Sequence, residues 1–551
     1  MTLWIDAATL KAWQHDGEPL ALLDVREAGQ FGAGHLLLAA PVAYSRLELR
    51  AWSLLPTVDL RVVLYADGDA LAERAVRRLR DIGFTRVAAL RGGVDAWQAA
   101  GYRLFAGVNV PSKAFGEWVE QQSATPHISA QDLHAWQRQG LPFTLLDGRT
   151  LQEHQRMSIP GSVGCPNGEL TLRWRSLVDD QTTPVVIHCA GRTRSIIGAQ
   201  TLRDLGLPNP VYALENGTQG WFLADLPLEH GNNRRFDIDV SASHRQSARQ
   251  DGARLAQRFA IPVLSAAQAQ NWLRDPTPPV YLFDIRTAEE FAAGSVAGAV
   301  HAPGGQLLQE TDRWVAARPA RIILLDNADG RAAVIASWLQ RMGFQAATLA
   351  QPVEELRVLS GWPRKETFAL APLPVVTPEQ LNAQRHDPAL RIVDIRPSAD
   401  FNVATLPGAR WSSRPLAQRL LDDLPSAVNR LVLLASHPDD AALWRAELSP
   451  RAPTLSVLSG GIDAWQAAGL PVLAPATPVP DAQRIDFLFF THDRHQGNKE
   501  AARQYLAWEQ ALLEQLDEKE LAAITGQPLP RSGRVVGQSN RPAETAKPQA
   551  R

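Results

Sequence analysis

Four times along the chain an apolar run ends in Asp-x-Arg: Leu22-Leu23-Asp24-Val25-Arg26, Leu145-Leu146-Asp147-Gly148-Arg149, Leu282-Phe283-Asp284-Ile285-Arg286 and Ile392-Val393-Asp394-Ile395-Arg396. The same succession follows each one. First comes an aromatic residue or histidine (Phe31, His154, Phe291, Phe401), then a turn with glycine or proline (Gly34-His35, Pro160-Gly161, Gly298-Ala299, Pro407-Gly408). Next is a strongly apolar run (Val62-Val63-Leu64, Val185-Val186-Ile187, Ile322-Ile323-Leu324, Leu431-Val432-Leu433), and after it a helical pattern. Three copies close on a Gly-containing turn before tryptophan: Gly92-Gly93 before Trp97, Gly217 before Trp221, and Gly460-Gly461 before Trp465. The third copy is degenerate here and reaches Trp362 late. A repeat of about 100 residues is the size of a domain.

The apolar runs are short, and they do not alternate with polar residues. Strands of that kind are buried on both faces, so the pattern predicts an α/β fold with a small parallel sheet flanked by helices in each of four tandem units. The units are expected at 1–107, 125–232, 262–366 and 374–474, with linkers where the pattern lapses, at 106–126, 230–261, 367–374 and 474–480. A C-terminal extension is expected over 475–526. In it, Asp486-Phe487-Leu488-Phe489-Phe490 reads as an added strand or an apolar docking element. Residues 498–524 read as one amphipathic helix, because Tyr505, Leu506, Leu512, Leu513 and Leu516 recur at helical spacing. The Pro-, Arg-, Ser- and Gln-rich stretch 527–551 is expected to be disordered.

Composition narrows the function. The 551 residues carry a formal net charge of −2, which gives no electrostatic footprint for nucleic acid or an anionic membrane. No apolar run approaches the roughly 18–20 residues that span a bilayer, and the first residues lack the regions of a signal peptide. The chain has two cysteines, Cys165 and Cys189. They make no disulfide scaffold and no structural zinc site unaided, and they fit a reducing, cytoplasmic setting with no cofactor or metal.

One stretch carries chemistry: Val185-Val186-Ile187-His188-Cys189-Ala190-Gly191-Arg192-Thr193-Arg194-Ser195. It reads as a strand, a tight loop and a helix start, at the sheet end where such folds bind ligands. Backbone N–H groups and the helix dipole favour a thiolate on Cys189. Gly191 permits the turn, Arg192 and Arg194 are placed to attract an anionic substrate, and Ser195 is expected to cap the helix. Asp147, Arg149 and Glu153 read as a salt-bridged strand end and helix start that shape the pocket, and His188 as packed or hydrogen-bonded. Cys165 reads as a packing residue, with resolution of a sulfur adduct as its alternative.

This order of motifs resembles the rhodanese family of sulfurtransferases over roughly residues 1–475, in four copies. Cys189-Ala190-Gly191-Arg192-Thr193-Arg194-Ser195 is similar to the family's loop, Cys-x-x-x-x-Arg followed by Ser or Thr. The resemblance implies transfer of a sulfane sulfur through a persulfide on Cys189, with residues 190–195 binding the substrate and Arg194 closing the loop. The donor would be thiosulfate or a persulfide. The acceptor would be a thiol, cyanide or a protein. At the position of Cys189 the other copies carry Ala66, Asp326 and Ala435, so they are expected to be inactive scaffolding, interaction or regulatory units. Two alternatives stand beside this reading. One is a non-catalytic binding protein. The other is a cysteine phosphatase, disfavoured because those enzymes place the arginine six positions after the cysteine, whereas Arg194 follows Cys189 by five.

Overall fold

The computed structural model describes residues 3–178, 180–237, 239–362, 368–448, 453–489, 494 and 497–527. Four sheets form within them, one per repeat. In the second, the strands lie in the order His127–Ile128, Val211–Leu214, Val185–His188, Thr144–Asp147, Val163–Gly164, all parallel. Along the chain that order is 1-5-4-2-3, and the other three sheets share it. The first sheet gains a further strand, Ala317–Arg318 from the third repeat, antiparallel to Leu20 and Ala21. Val185, Val186 and Ile187 are fully buried, as a run covered by helices on both faces requires.

The Asp-x-Arg motif is a buried ion pair with a second task. Arg149 donates to Asp147 through Nε (2.9 Å) and Nη2 (2.7 Å), and Nη2 also donates to the carbonyl of Met157. Arg26, Arg286 and Arg396 repeat the arrangement with the carbonyls of Gly34, Gly294 and Ala404. In each repeat one guanidinium thus ties the strand end to the end of the next helix. In the second repeat that helix, Leu151–Arg156, opens with a capping box. Thr150 Oγ1 accepts from the Glu153 amide (3.2 Å), and Glu153 Oε2 accepts from the Thr150 amide (3.2 Å).

The repeats pack in two pairs, first with fourth and second with third, both through the turn after the third strand. The turn Tyr44–Arg46 meets Arg414–Leu416, and Asn167–Glu169 meets the helix Gly304–Gln309. A buried arginine crosses each interface. Arg414 donates to Glu48 (2.5 and 2.7 Å) and to Glu447 (2.9 Å), and Arg331 donates to Glu169 (2.7 Å).

Three stretches differ from expectation. Residues 106–126 and 230–261 hold the helices Val110–Ser123 and Ala242–Arg258, where linkers were expected. The single helix expected over 498–524 is two, Lys499–Gln510 and Glu518–Thr525, with the turn Leu513–Gln515 between them. The second starts afresh because Asp517 caps it and Glu520 completes a capping box. Among described residues, 486–489 form no strand; Phe490 lies outside them. This segment docks on the first repeat, where the Ile485 carbonyl accepts from the Gly29 amide at 2.9 Å. Gly29 is needed there, since a β-carbon would lie 2.5 Å from the Phe487 carbonyl oxygen. The tail expected to be disordered lies outside the described residues from 528 onward.

Replacing Arg414 with methionine leaves Glu48 buried without its cation and Glu447 with Arg74 alone. The expected cost is about 3–5 kcal/mol, the usual cost of breaking a buried pair from one side. Urea unfolding of Arg414→Met should show a lower midpoint for the transition that separates the first and fourth repeats.

Candidate active site

The strand Val185–His188 delivers Cys189 to the carboxyl end of the second sheet, and the chain bends through Ala190, Gly191 and Arg192 into the helix Thr193–Asp204. Two backbone bonds seat this loop. The Cys189 carbonyl accepts from the Thr218 amide (2.8 Å), and the Ala190 carbonyl from the Gln219 amide (3.1 Å). Gly217, with φ +50°, presses so closely that a β-carbon would overlap the Cys189 carbonyl oxygen. Gly93 does the same to Ala66, and a β-carbon on Gly461 would lie 3.0 Å from the Ala435 oxygen. In the third repeat the Val353 amide donates to the Asp326 carbonyl at 3.2 Å. Ala66, Asp326 and Ala435 are therefore the structural counterparts of Cys189.

Cys189 is 2% exposed, and Ser195 Oγ donates to its Sγ at 3.0 Å. This corrects the expected cap. The helix starts at Thr193 with Arg192 in the cap position, and Ser195 turns inward to the sulfur from the first turn. Neither arginine is an uncommitted cation. Arg194 is partly buried and donates to both oxygens of Glu153 (2.8 Å each). Arg192 donates to Glu117 (2.7 and 2.9 Å) and also to Glu120. Burial would raise Glu153, but Arg194 outweighs it and draws the carboxyl down to about 2. At Glu117 burial wins over Arg192 and pushes the carboxyl up to about 7. The expected attraction for an anionic donor is thus largely matched by carboxylates.

Beneath the loop lies a polar floor. Asp147 accepts from Arg149 and contacts His154 Nδ1 at 2.9 Å, and His188 Nε2 lies 3.6 Å away. Burial pushes His188 down to about 4 despite Asp147, so the ring is neutral near pH 7. Burial would likewise raise Asp147, but the neighbouring His188 and Arg149 and the bond with His154 hold it well below the carboxylate range. With His188 neutral, the lasting charge is that of Arg149. Cys165 is fully buried in the core, where burial, then Glu169, pushes its thiol well up, so it has no thiolate to offer.

The cleft over Cys189 holds about 180 Å³ and is lined by Glu153, by Arg494 and by four further parts of the chain. The loop supplies residues 189–194, the helix Val110–Ser123 supplies Lys113, the third repeat supplies Gln306, Gln309 and Glu310, and the C-terminal helix Lys499–Gln510 supplies Tyr505 and Glu509. The helix Val110–Ser123 lies on the loop at Gly116, where a β-carbon would meet the Thr193 Cγ2 at 2.8 Å. Glu509 Oε1 accepts from Thr193 Oγ1 at 2.8 Å. Sequence reasoning found the loop, Asp147, Arg149, Glu153 and His188. It missed Lys113, Glu117, Glu120, Tyr505 and Glu509, which reach the loop from distant segments and leave no motif.

It also missed a residue that spacing could have shown. Arg331 stands five positions after Asp326, as Arg194 stands after Cys189. Arg331 donates to Glu290 (2.8 Å twice), whose capping box with Thr287 matches that of Thr150 and Glu153. The rest of the loop differs: Ala328 and Gly330 take positive φ, and Arg331 also donates to Asp329 and Glu169. Asp326 accepts from the amides of Ala328 (2.8 Å) and Ala332 (2.9 Å). In this loop, amides two and six positions on point at carboxyl oxygens two bonds beyond the β-carbon, on a group that burial and then Asp329 push up to about 7.

Family models for the rhodanese-like domain match residues 6–100, 129–224, 265–354 and 377–468. The chain belongs to the rhodanese family, and with this fold it supports sulfurtransferase activity in general. It is similar over its length to a crystal structure of a thiosulfate sulfurtransferase from Pseudomonas aeruginosa. Identity is 38%, coverage is 95% of this chain and 99% of that one, and the TM-score is 0.87. It is 36% identical over 76 residues to the uncharacterized protein YqhL of Bacillus subtilis; the match spans 14% of this chain and 59% of the length of that relative. Among the described residues no helix is long and apolar enough to cross a membrane.

Because His188 titrates near 4 when folded and near 6.5 when unfolded, the unfolded chain binds its proton first. His188 thus lowers stability as pH falls from about 6.5 toward 4. Urea midpoints across that window should decline less steeply for His188→Gln than for the wild type; parallel declines would contradict the assignment.

Proposed function

We propose that the protein is a sulfurtransferase that carries a sulfane sulfur as a persulfide on Cys189, with thiosulfate as its donor. The Cys189 thiolate attacks the outer sulfur of thiosulfate. The sulfur–sulfur bond breaks, sulfite leaves with the electron pair, and the persulfide remains. A thiophilic acceptor then attacks the outer sulfur and returns Cys189 as thiolate.

The observation that carries this reading is the third repeat. Its loop keeps the arginine five positions on, although its helix begins one residue later, and its Asp326 carboxyl is held by the amides at positions two and six. A persulfide on Cys189 also places its charge two bonds from the β-carbon. The matching donors would be the amides of Gly191 and Ser195, in an arrangement that stabilises an anion without reorganisation. Ser195 Oγ, already bonded to Sγ, serves the leaving thiolate in the second step. The similar Pseudomonas protein is a thiosulfate sulfurtransferase, which supports that donor here.

Incubation with thiosulfate is expected to raise the intact mass by one sulfur, and cyanide should remove it as thiocyanate. Cys189→Ala should abolish the gain and Cys165→Ala should keep it. Absence of a gain with any sulfane donor would contradict the proposal, as would retention in Cys189→Ala.

A further inference from the structure

Among the described residues, Glu509 is the one cleft-lining carboxylate held out of water with an oxygen unspent. It stands on the C-terminal helix Lys499–Gln510, 2% exposed, although it comes 320 residues after Cys189 in the chain. Oε1 is used by Thr193 Oγ1. Oε2 is buried and has no hydrogen-bond partner among the described residues. It lies over the loop, since a β-carbon on Gly191 would sit 2.9 Å from it. The other acids around the loop are engaged: Glu153 with Arg194, Glu117 and Glu120 with Arg192. A buried polar atom without a partner is costly and calls for a reason.

A donor dianion gains nothing from this oxygen. An acceptor that brings its own hydrogen does. A thiol near pH 7 is mostly protonated, and it must lose that proton before its sulfur can attack the persulfide. Resting on the proposed function, we infer that Glu509 serves the acceptor half of the reaction, with Oε2 accepting the hydrogen bond and then the proton of an uncharged thiol. The thiol S–H bond gives its proton to Oε2. The sulfur forms a bond to the outer sulfur of the persulfide, and the bond from that sulfur to Cys189 Sγ breaks with its electron pair on Sγ. The product is a new persulfide on the acceptor. The proton leaves Glu509 for solvent, and no external oxidant or reductant is consumed. The C-terminal extension thereby selects thiols over proton-free anions as acceptors.

The test loads Cys189 with thiosulfate, removes the donor, and times discharge of the persulfide at pH 7 to 2-mercaptoethanol and, separately, to sulfite, whose dianion is already abundant at that pH and attacks without deprotonation. Glu509→Gln keeps the side chain's shape and an oxygen for Thr193. The expected result is a thiol-to-sulfite rate ratio about 100-fold below that of the wild type, the lower range for loss of a general base. An unchanged ratio, whatever happens to either rate alone, would overturn the inference. A second measurement needs no variant: thiol discharge by the wild type should slow in deuterium oxide relative to sulfite discharge, and equal isotope effects would overturn it too. A wild type that takes up no sulfur fails at the loading step, and that result contradicts the proposed function itself.

Discussion

The buried Asp-x-Arg pair is the constraint on which the site rests. It is formed four times, and each time its guanidinium binds both the strand's carboxylate and a carbonyl eight residues further on. An arginine of that kind has a low-dielectric setting and leaves little room for alternatives. In the second repeat it fixes the helix that starts at Leu151. That helix presents Glu153, Glu153 holds Arg194, and Arg194 closes the loop around Cys189. The nucleophile's surroundings are thus set from a neighbouring strand rather than from the loop itself.

The loop keeps its seat whether or not a cysteine stands in it. The close approach of Gly217 to Cys189 recurs at Gly93 with Ala66 and at Gly461 with Ala435, so the loop geometry is a property of the fold. Losing the cysteine costs the frame nothing. The third repeat goes furthest, since it keeps the arginine and its glutamate partner and puts a carboxyl group where the sulfur would be. The repeats without a cysteine at this position also contribute matter to the site. The third supplies one wall of the cleft, and the first and fourth hold the C-terminal extension, through Gly29 and through Ser398, whose amide donates to Asp486 at 2.7 Å.

Much of this was legible in the chain. The repeated Asp-x-Arg, the non-alternating apolar runs and the cysteine loop are local patterns, and they pointed to the four parallel sheets and to Cys189. The rest depended on contacts between segments far apart. The helix Val110–Ser123 looked like a linker because its buried face includes Ser112, Lys113 and Glu117, polar residues that carry no periodic apolar signal. The 498–524 pattern showed that one face is buried, yet nothing local says that it lies on the loop of the second repeat. Ser195 was read as a cap because position and residue type fit one, and its bond to sulfur exists only once the helix begins at Thr193.

The central claim is that the loop of the second repeat holds a sulfur anion as the third holds the Asp326 carboxyl. The most direct test is a crystal structure of the protein loaded with thiosulfate. The account predicts a second sulfur on Cys189 within hydrogen-bond distance of the Gly191 and Ser195 amides. An outer sulfur turned away from both amides, or sulfur bound at Cys165 with Cys189 bare, would contradict it.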